Sequence, residues 1–177
     1  MDDLSTPLWP MKRIIILLLA LMPIVASAQE FNYDNQKITW KKVYQSELTL
    51  DDIYKCIITS NNFYDVEQLE GCIVAKTKPI DYKPEDYGFR WGNSNTLLLN
   101  GAVGPVALRI EVKEGRYRVI ASDMMVTDIT PGGMTPMGTK TRLEDVAFRR
   151  GVPNSMMTDQ FAPVFRKYIE RLVSFTK

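Results

Sequence analysis

The residues best suited to chemistry lie in one irregular stretch, from Pro79 to Gly101, which is rich in Pro, Gly and Asn. This stretch is long for a connection without regular structure, which favours a functional loop. Exposed aromatic rings beside a guanidinium can stack on a sugar ring or anchor a protein partner. The alternative is that these rings fold back and cap the core. The five candidate binding residues are Tyr82, Tyr87, Phe89, Arg90 and Trp91.

Three carboxylates in the same stretch, Asp81, Glu85 and Asp86, are the candidate groups for a hydrolase. That chemistry needs two carboxyl groups converging in a cleft, one with a raised pKa. Catalysis through imidazole is excluded because the chain has no histidine. We therefore predict no catalytic residues, no metal site and no cofactor, and favour a binding protein over an enzyme.

The two cysteines, Cys56 and Cys72, are candidates for a disulfide. It would close a loop of about 17 residues and add about 3 kcal/mol of stability. Two free thiols are the alternative, and the sequence leaves both open. The spacing is not that of a CxxC motif, so no redox role is expected.

An export signal precedes all of these residues. Met11-Lys12-Arg13 supplies the basic start, residues 14–21 supply the apolar run, and Ala26-Ser27-Ala28 fits signal peptidase. We predict translation from Met11, cleavage after Ala28 and a single α+β domain over residues 29–177. The apolar run is shorter than the roughly 20 residues that cross a bilayer, so no transmembrane span is expected after signal removal. The predicted location is the periplasm or the exterior of a Gram-negative cell.

Charge is nearly balanced over the 177 residues, with 22 Lys and Arg, 21 Asp and Glu and a net charge of +1. Nucleic-acid binding depends on clustered cations that displace counterions from phosphates. The sequence therefore predicts no nucleic-acid partner, and leaves an unknown protein or glycan as the expected partner.

The elements that must position these groups begin with a strand over Lys37 to Tyr44, after a polar lead from Gln29 to Gln36. Thr49, as N-cap, predicts a helix that ends near Ser60-Asn61-Asn62. Two short strands follow, Phe63 to Gln68 and Cys72 to Thr77, joined by a tight turn at Gly71.

The clearest hairpin pairs Val103 to Val112 with Arg116 to Thr127 around Glu114-Gly115. This register places Val112 opposite Tyr117 and Glu111 opposite Arg118. Three arginines along it could form an anion-binding row, but strand alternation favours a solvated sheet face. They are Arg109, Arg116 and Arg118.

Two helices are predicted towards the C-terminus. Thr141-Arg142-Leu143-Glu144 reads as a capping box and predicts a short helix over about Arg142 to Arg150, stopped by Gly151. A longer helix follows, with Pro163 in its first turn. Its large side chains recur every three or four residues and predict a core-facing stripe. They are Phe161, Phe165, Tyr168, Leu172 and Phe175.

The element order, strand-helix-strand-strand-strand-strand-helix, predicts an α+β fold: an antiparallel sheet of about five strands with helices packed on one face. Three segments, EGCIVAK (Glu70 to Lys76), LRIEVKEGRYRVIASD (Leu108 to Asp123) and RLEDV (Arg142 to Val146), carry a resemblance that spans about Ile38 to Phe175. With its signal peptide, the chain resembles an uncharacterised exported bacterial domain of unknown function with a TATA-box-binding-protein-like (TBP-like) fold. The resemblance implies a periplasmic or envelope protein of unassigned activity, and the fold does not bring DNA binding with it.

The function expected from these observations is a non-enzymatic binding or interaction module of the cell envelope. A carboxylate-dependent hydrolase is one alternative. A structural component of an envelope assembly is another, and it would co-purify with membranes.

Overall fold

A six-stranded antiparallel sheet forms the frame of the protein in the computed structural model, which describes residues 31–90, 92, 95–131 and 135–175. The predicted export signal and Trp91 lie outside the described residues. The strands described are β1 (Phe31–Asp34), β2 (Lys37–Gln45), β3 (Phe63–Leu69), β4 (Cys72–Thr77), β5 (Ile80–Asp81), β6 (Gly101–Val103), β7 (Ala107–Lys113), β8 (Arg116–Ser122), β9 (Met125–Asp128), β10 (Lys140–Arg142), β11 (Phe148–Arg149) and β12 (Val152–Pro153). The α-helices described are α1 (Leu50–Thr59), α2 (Thr96–Leu99), α3 (Leu143–Ala147) and α4 (Ala162–Val173).

The large sheet has the strand order β1-β2-β8-β7-β4-β3, and α1 and α4 pack on one of its faces. This arrangement confirms the predicted α+β class. The sheet has six strands rather than about five, because Phe31–Asp34 forms a strand where a polar lead was expected. β1 pairs with β2 through a turn at Asn35 and Gln36, both at positive φ.

Helix α1 begins where its sequence predicts. The Thr49 side chain accepts a hydrogen bond from the Asp52 amide at 3.2 Å, and the Asp52 carboxylate accepts one from the Thr49 amide at 3.0 Å. The reciprocal pair satisfies two amides that would otherwise be unpaired at the helix start. The helix ends at Thr59, with Ser60 as its C-cap. Ile53 and Ile57 are buried against the sheet.

The C-terminal helix also faces the core as predicted. A π-helical segment, Met157–Phe161, leads into α4, and Pro163 lies in the first turn of α4. The aromatic stripe is buried from Phe161 to Leu172, and Phe175 packs against it. Within the described residues, no helix combines the length and the apolar character needed to span a membrane.

A second sheet, in the order β10-β9-β6-β5, corrects the predicted hairpin of two long strands. Both strands break at the same level, one at Gly104-Pro105 and the other at Asp123-Met124. Gly104 and Asp123 adopt positive φ, and Pro105 has no amide to donate to a ladder. Beyond the break, β6 and β9 pair in the second sheet, while β7 and β8 remain in the first.

The predicted capping box at Thr141 does not form. Thr141 lies in β10 opposite Val126, and α3 starts at Leu143 with Arg142 as its N-cap and without a capping side chain. The helix stops at Ala147 instead of continuing to Arg150. Residues 148–153 form the small β11–β12 hairpin, in which Gly151 adopts a φ of +79°.

A buried polar node joins α4 to the point where the two sheets separate. The Tyr168 hydroxyl oxygen lies 2.7 Å from both Thr77 Oγ1 and the Lys78 carbonyl oxygen. Because the carbonyl can only accept, the phenol donates to Lys78 and receives the Thr77 hydroxyl proton. Thr77 Oγ1 also accepts a hydrogen bond from the Val106 amide at 2.9 Å. The node therefore ties together a helix, β4 and the approach to β7.

Replacing Tyr168 with Phe should lower the free energy of unfolding by about 1–3 kcal/mol, because it leaves buried partners without a hydrogen bond. Urea denaturation followed by circular dichroism measures the change. Tyr54→Phe is the matched control, since the Tyr54 hydroxyl makes no hydrogen bond among the described residues. Equal stability of both variants would contradict a structural role for the node.

Candidate binding surface

The face of the large sheet that is turned away from α1 and α4 is the candidate site. Alternation along β2, β8, β7, β4 and β3 sends every second side chain to this face, and the strand register aligns these side chains in four rows. We call these rows the outer face. From the hairpin turn towards the second sheet they are Gln45, Arg116 and Lys113; then Val43, Arg118, Glu111, Cys72 and Leu69; then Lys41, Ile120, Arg109, Val74 and Glu67; then Ser122, Ala107, Lys76 and Tyr64.

The outer face is open to solvent. Val43 and Leu69 are about two-fifths exposed, at 41% and 40%. The rows hold six cations and two carboxylates, although the whole chain carries a net charge of only +1. The charge of the protein is therefore unevenly distributed, and this face is its basic side.

An ion network stands at the centre of the outer face. Glu111 accepts a hydrogen bond from Arg109 Nε at 3.0 Å and another from Arg118 Nε at 3.0 Å, and Arg118 Nη2 also donates to it. The predicted register, with Glu111 opposite Arg118, is confirmed. Hydrogen bonds from Arg118 and then Arg109 hold the pKa of the Glu111 carboxyl below its ordinary value. Two of the six cations thus share one carboxylate, and the group of three side chains keeps a net charge of +1.

The row beside the hairpin turn is different. Lys113 and Arg116 are opposite each other in the register, and both are exposed. Among the described residues, no carboxylate forms an ion pair with either of them. With Val43, Glu111 and Arg118 they line a depression of about 180 Å³.

A second depression, of about 270 Å³, lies at the other end of the outer face, where the two sheets meet. Its charges are largely paired. Lys76 contacts Asp65 at 3.0 Å, and Asp123 lies 3.7 Å from Arg142. The end beside the hairpin turn is therefore the better candidate for binding an anionic group.

The aromatic loop is held against the body of the protein. Tyr82 is only 5% exposed, and its ring stacks on that of Tyr87 at 5.2 Å between centroids. Lys167 lies over the Tyr87 ring at 5.8 Å and donates a hydrogen bond to the Asp86 carbonyl. Burial raises the pKa of the Tyr87 hydroxyl. α4 thus fixes this part of the loop in place.

The other predicted residues of the loop differ in exposure. Phe89 packs partly against the core, and Arg90 is exposed. The interpretation that the rings fold back on the core holds fully for Tyr82 and in part for Tyr87 and Phe89. A binding role for the loop remains a prediction.

The three candidate carboxylates of the loop are exposed. Asp81 lies in β5, and Glu85 and Asp86 lie in the 3₁₀ turn over Pro84–Tyr87. Hydrolysis by a carboxylate pair requires at least one group to be desolvated.

Within the part of the chain that the structure describes, no group of three or more Cys, Asp or Glu side chains is placed to hold a metal ion.

The cysteines are free thiols rather than a disulfide. Cys56 belongs to α1, which packs on the inner face of the sheet, whereas Cys72 aligns with Glu111 on the outer face. The next residue, Ile73, is fully buried in the core. A bond between the two sulfurs would have to pass through the sheet, which explains why the suggested bridge does not form.

Comparison with known proteins gives two solved structures of low similarity. No family model and no curated protein matches the chain. A TBP-like protein from Parabacteroides distasonis is 16% identical, with a TM-score of 0.46, over 80% of this chain and 90% of its own. A DUF4468 family protein from Bacteroides ovatus is 15% identical, with the same TM-score, over 82% of this chain and 85% of its own.

These neighbours are of the kind that the sequence resemblance predicted, a TBP-like protein and a bacterial domain family of unknown function. At this level of similarity they support no statement about function. The α+β class rests on the sheet topology itself.

The sequence reasoning missed the unpaired Lys113 and Arg116 as a site. The signal was present, because the predicted register that aligns Glu111 with Arg118 also aligns Lys113 with Arg116. The anion-binding row that the sequence suggests contains Arg109, Arg116 and Arg118, but neither Lys113 nor Val43.

The pKa of Glu111 should be measured below its ordinary value of 4.5, and Arg118→Met should raise it, because the largest stabilising hydrogen bonds come from Arg118. Carboxyl carbon NMR during a pH titration gives both values. Arg149→Met, in the β11–β12 hairpin, is the control and should leave the value unchanged.

The lowered pKa also makes the network sensitive to pH. The charged carboxylate is favoured in the folded state, so its contribution to stability is present above pH 4.5 and is lost as the pH falls through the lowered folded value. Wild type and Glu111→Gln should therefore converge in stability in acid. An unshifted pKa for Glu111 would contradict the network.

Proposed function

We propose that the protein is an exported, non-enzymatic binding module of the cell envelope and that the outer face is its binding surface. The observation that carries the proposal is the concentration of six cations on one sheet face, which no helix of the described residues covers, in a chain with a net charge of +1. Exposed apolar side chains, Val43 and Leu69, lie among these cations. Apolar anchors surrounded by polar groups are the common composition of a protein interface.

Export is supported by the sequence pattern from Met11 to Ala28. A binding role is supported over catalysis by composition, because histidine is absent from the chain. It is also supported by the solvent exposure of Asp81, Glu85 and Asp86.

The aromatic loop is a second candidate surface. The observation that favours it is the fixed position of Tyr87, which stacks on Tyr82 under the Lys167 ammonium. A preorganised ring loses little conformational entropy when a partner packs on it. The two surfaces can be distinguished because they involve different residues.

Capture of partners from an envelope extract of the source organism should depend on the outer face. Proteins retained by immobilised wild type should be lost with Val43→Asp, because a buried carboxylate at the centre of the contact is costly. The measurement is quantitative mass spectrometry of the retained proteins. Lys55→Glu, on the exposed side of α1, is the control and should retain them.

Other results would redirect the assignment. Loss with Tyr87→Ala or Trp91→Ala, but not with Val43→Asp, would move the binding surface to the aromatic loop. Identical retention by wild type and every variant would contradict both surfaces. Recovery of the wild type mainly in the membrane pellet would favour the structural component of an envelope assembly.

The protein purified from the periplasm of a Gram-negative host should have an intact mass that begins at Gln29. After denaturation without reductant, both cysteines should be alkylated, because the structure keeps them on opposite faces of the sheet. In the native protein Cys56 should react first, since Cys72 is only 2% exposed. A full-length mass would contradict export. A mass lower than that of the dithiol form by two hydrogen atoms, with no alkylation, would contradict free thiols.

A further inference from the structure

The outer face contains an unfavourable pair of like charges beside the β7–β8 turn. Lys113 and Arg116 flank the two-residue turn Glu114-Gly115 and are directly opposite each other. Like charges in directly opposed positions of an antiparallel pair destabilise the sheet. Glu114 lies in the turn itself but forms no ion pair with either cation among the described residues. The two cations are therefore held together without a counter-ion from the part of the chain that the structure describes.

An apolar side chain lines the same depression, one row further along the sheet. Val43 on β2 aligns with Arg118, and Gln45, two residues further along β2, aligns with Arg116. Val43 is 41% exposed. Arg118 is held in place by Glu111, so it forms a fixed wall of the depression rather than a free charge. The result is a positive corner next to a small apolar patch.

A third position continues the pattern along the same strand. Lys41 lies two residues from Val43 on the opposite side from Gln45 and aligns with Ile120. Among the described residues, Lys41 has no ion pair. Three successive rows of the outer face thus present Gln45 with the neighbouring Arg116 and Lys113, then Val43, then Lys41, and β2 contributes the first member of each row.

We propose, on the basis of the proposed function, that this part of the outer face binds an extended acidic polypeptide segment. In that segment, acidic, apolar and acidic side chains occupy alternate positions. An extended chain repeats its side chains on one face about every 6.8 Å, which is also the spacing of the rows. The segment runs along β2, so that its first carboxylate lies over Gln45 and is contacted by the long side chains of Arg116 and Lys113. The apolar side chain lies on Val43, and the second carboxylate contacts Lys41.

The chemistry of the face favours a polypeptide over a nucleic acid or a glycan. A nucleic acid needs a run of cations that are free to contact phosphates, whereas Arg109 and Arg118 are engaged by Glu111. A glycan is commonly bound by aromatic rings, and the one aromatic residue of the four rows, Tyr64, lies at the far end. Charge complementarity together with Val43 fits an acidic and apolar peptide.

The test uses the peptide Glu-Ser-Leu-Ser-Glu-amide, labelled with fluorescein on its N-terminal amine, and the mature protein in a fluorescence anisotropy titration at low salt. Arg116→Glu should weaken binding about tenfold or more. A solvated ion pair accounts for up to about fivefold, and charge reversal adds repulsion. Val43→Asp should also weaken it, and added salt should reduce the affinity. Lys55→Glu should bind as wild type does.

The basic peptide Lys-Ser-Leu-Ser-Lys-amide, with fluorescein on its N-terminal amine, should not bind. Equal binding of the two peptides, or unchanged binding by Arg116→Glu, would overturn the proposal. Tighter binding of duplex DNA or a heparin fragment that Arg116→Glu abolishes would overturn the assignment to a polypeptide. If no peptide binds while envelope capture still depends on Val43, this inference fails and the proposed function stands.

A second measurement separates a binding role from a structural one. Lys113→Gln should unfold at an equal or higher urea concentration than wild type, because it removes a like-charge contact. At the same time it should weaken binding of the acidic peptide about twofold to fivefold. A lower urea midpoint would show that Lys113 stabilises the fold, and would overturn the interpretation of the pair as a ligand site.

Discussion

The hydrogen bonds of the Tyr168 hydroxyl fix the relation between the main sheet and its helical layer. The phenol forms hydrogen bonds with the Thr77 hydroxyl and the Lys78 carbonyl, where β4 ends. Thr77 Oγ1 accepts a further hydrogen bond from the Val106 amide, just before β7. Burial raises the pKa of Tyr168, so the hydroxyl stays protonated and able to donate. A side chain at Gly104 would place its Cβ only 2.6 Å from the phenol oxygen. Glycine at this position therefore serves both the positive φ of the break and the close approach of Tyr168.

The open outer face is a consequence of how the inner face is filled. α1 and α4 cover the inner side chains of the same strands, and the pleat sends every second residue to the other side. One polar residue on the inner face, Lys42, is matched by Glu170 of α4, which forms an ion pair with it. The charge of Lys42 on the inner face is thus paired by a residue of the helix that covers this face. On the outer face, Glu111 forms ion pairs with Arg109 and Arg118, whereas no carboxylate among the described residues forms an ion pair with Lys113 or Arg116.

Where local signals agreed with one another, the sequence was sufficient to predict the structure. The Thr49 capping box located α1, and Glu114-Gly115 together with alternation defined the β7–β8 register. The predictions failed where a backbone conformation was unusual for its residue types. Positive φ at Asn35 and Gln36 creates the β1–β2 turn without a glycine, and the break at Gly104-Pro105 diverts both strands of the predicted long hairpin.

Contacts between residues distant in sequence also limited the predictions for Thr141 and for the two cysteines. Thr141 met the pattern of an N-cap, but pairing with Val126 in the second sheet took precedence over a local capping bond. Cysteine spacing could not report that a sheet separates Cys56 from Cys72. These outcomes depend on contacts between residues distant in sequence. The placement of Lys113 beside Arg116, by contrast, was contained in the predicted register.

Net charge is a sum over the whole chain, whereas a partner responds to charges within about one Debye length, roughly 8–10 Å at moderate salt. A balanced chain can therefore present a basic face, provided that its acids lie elsewhere. Here the register itself separates the charges, because alternation commits Arg116, Lys113 and Lys41 to one side of the sheet. Composition alone describes such a protein as electrostatically neutral. The binding chemistry of its surface is set by which strand positions share a face and by which cations lack a neighbouring carboxylate.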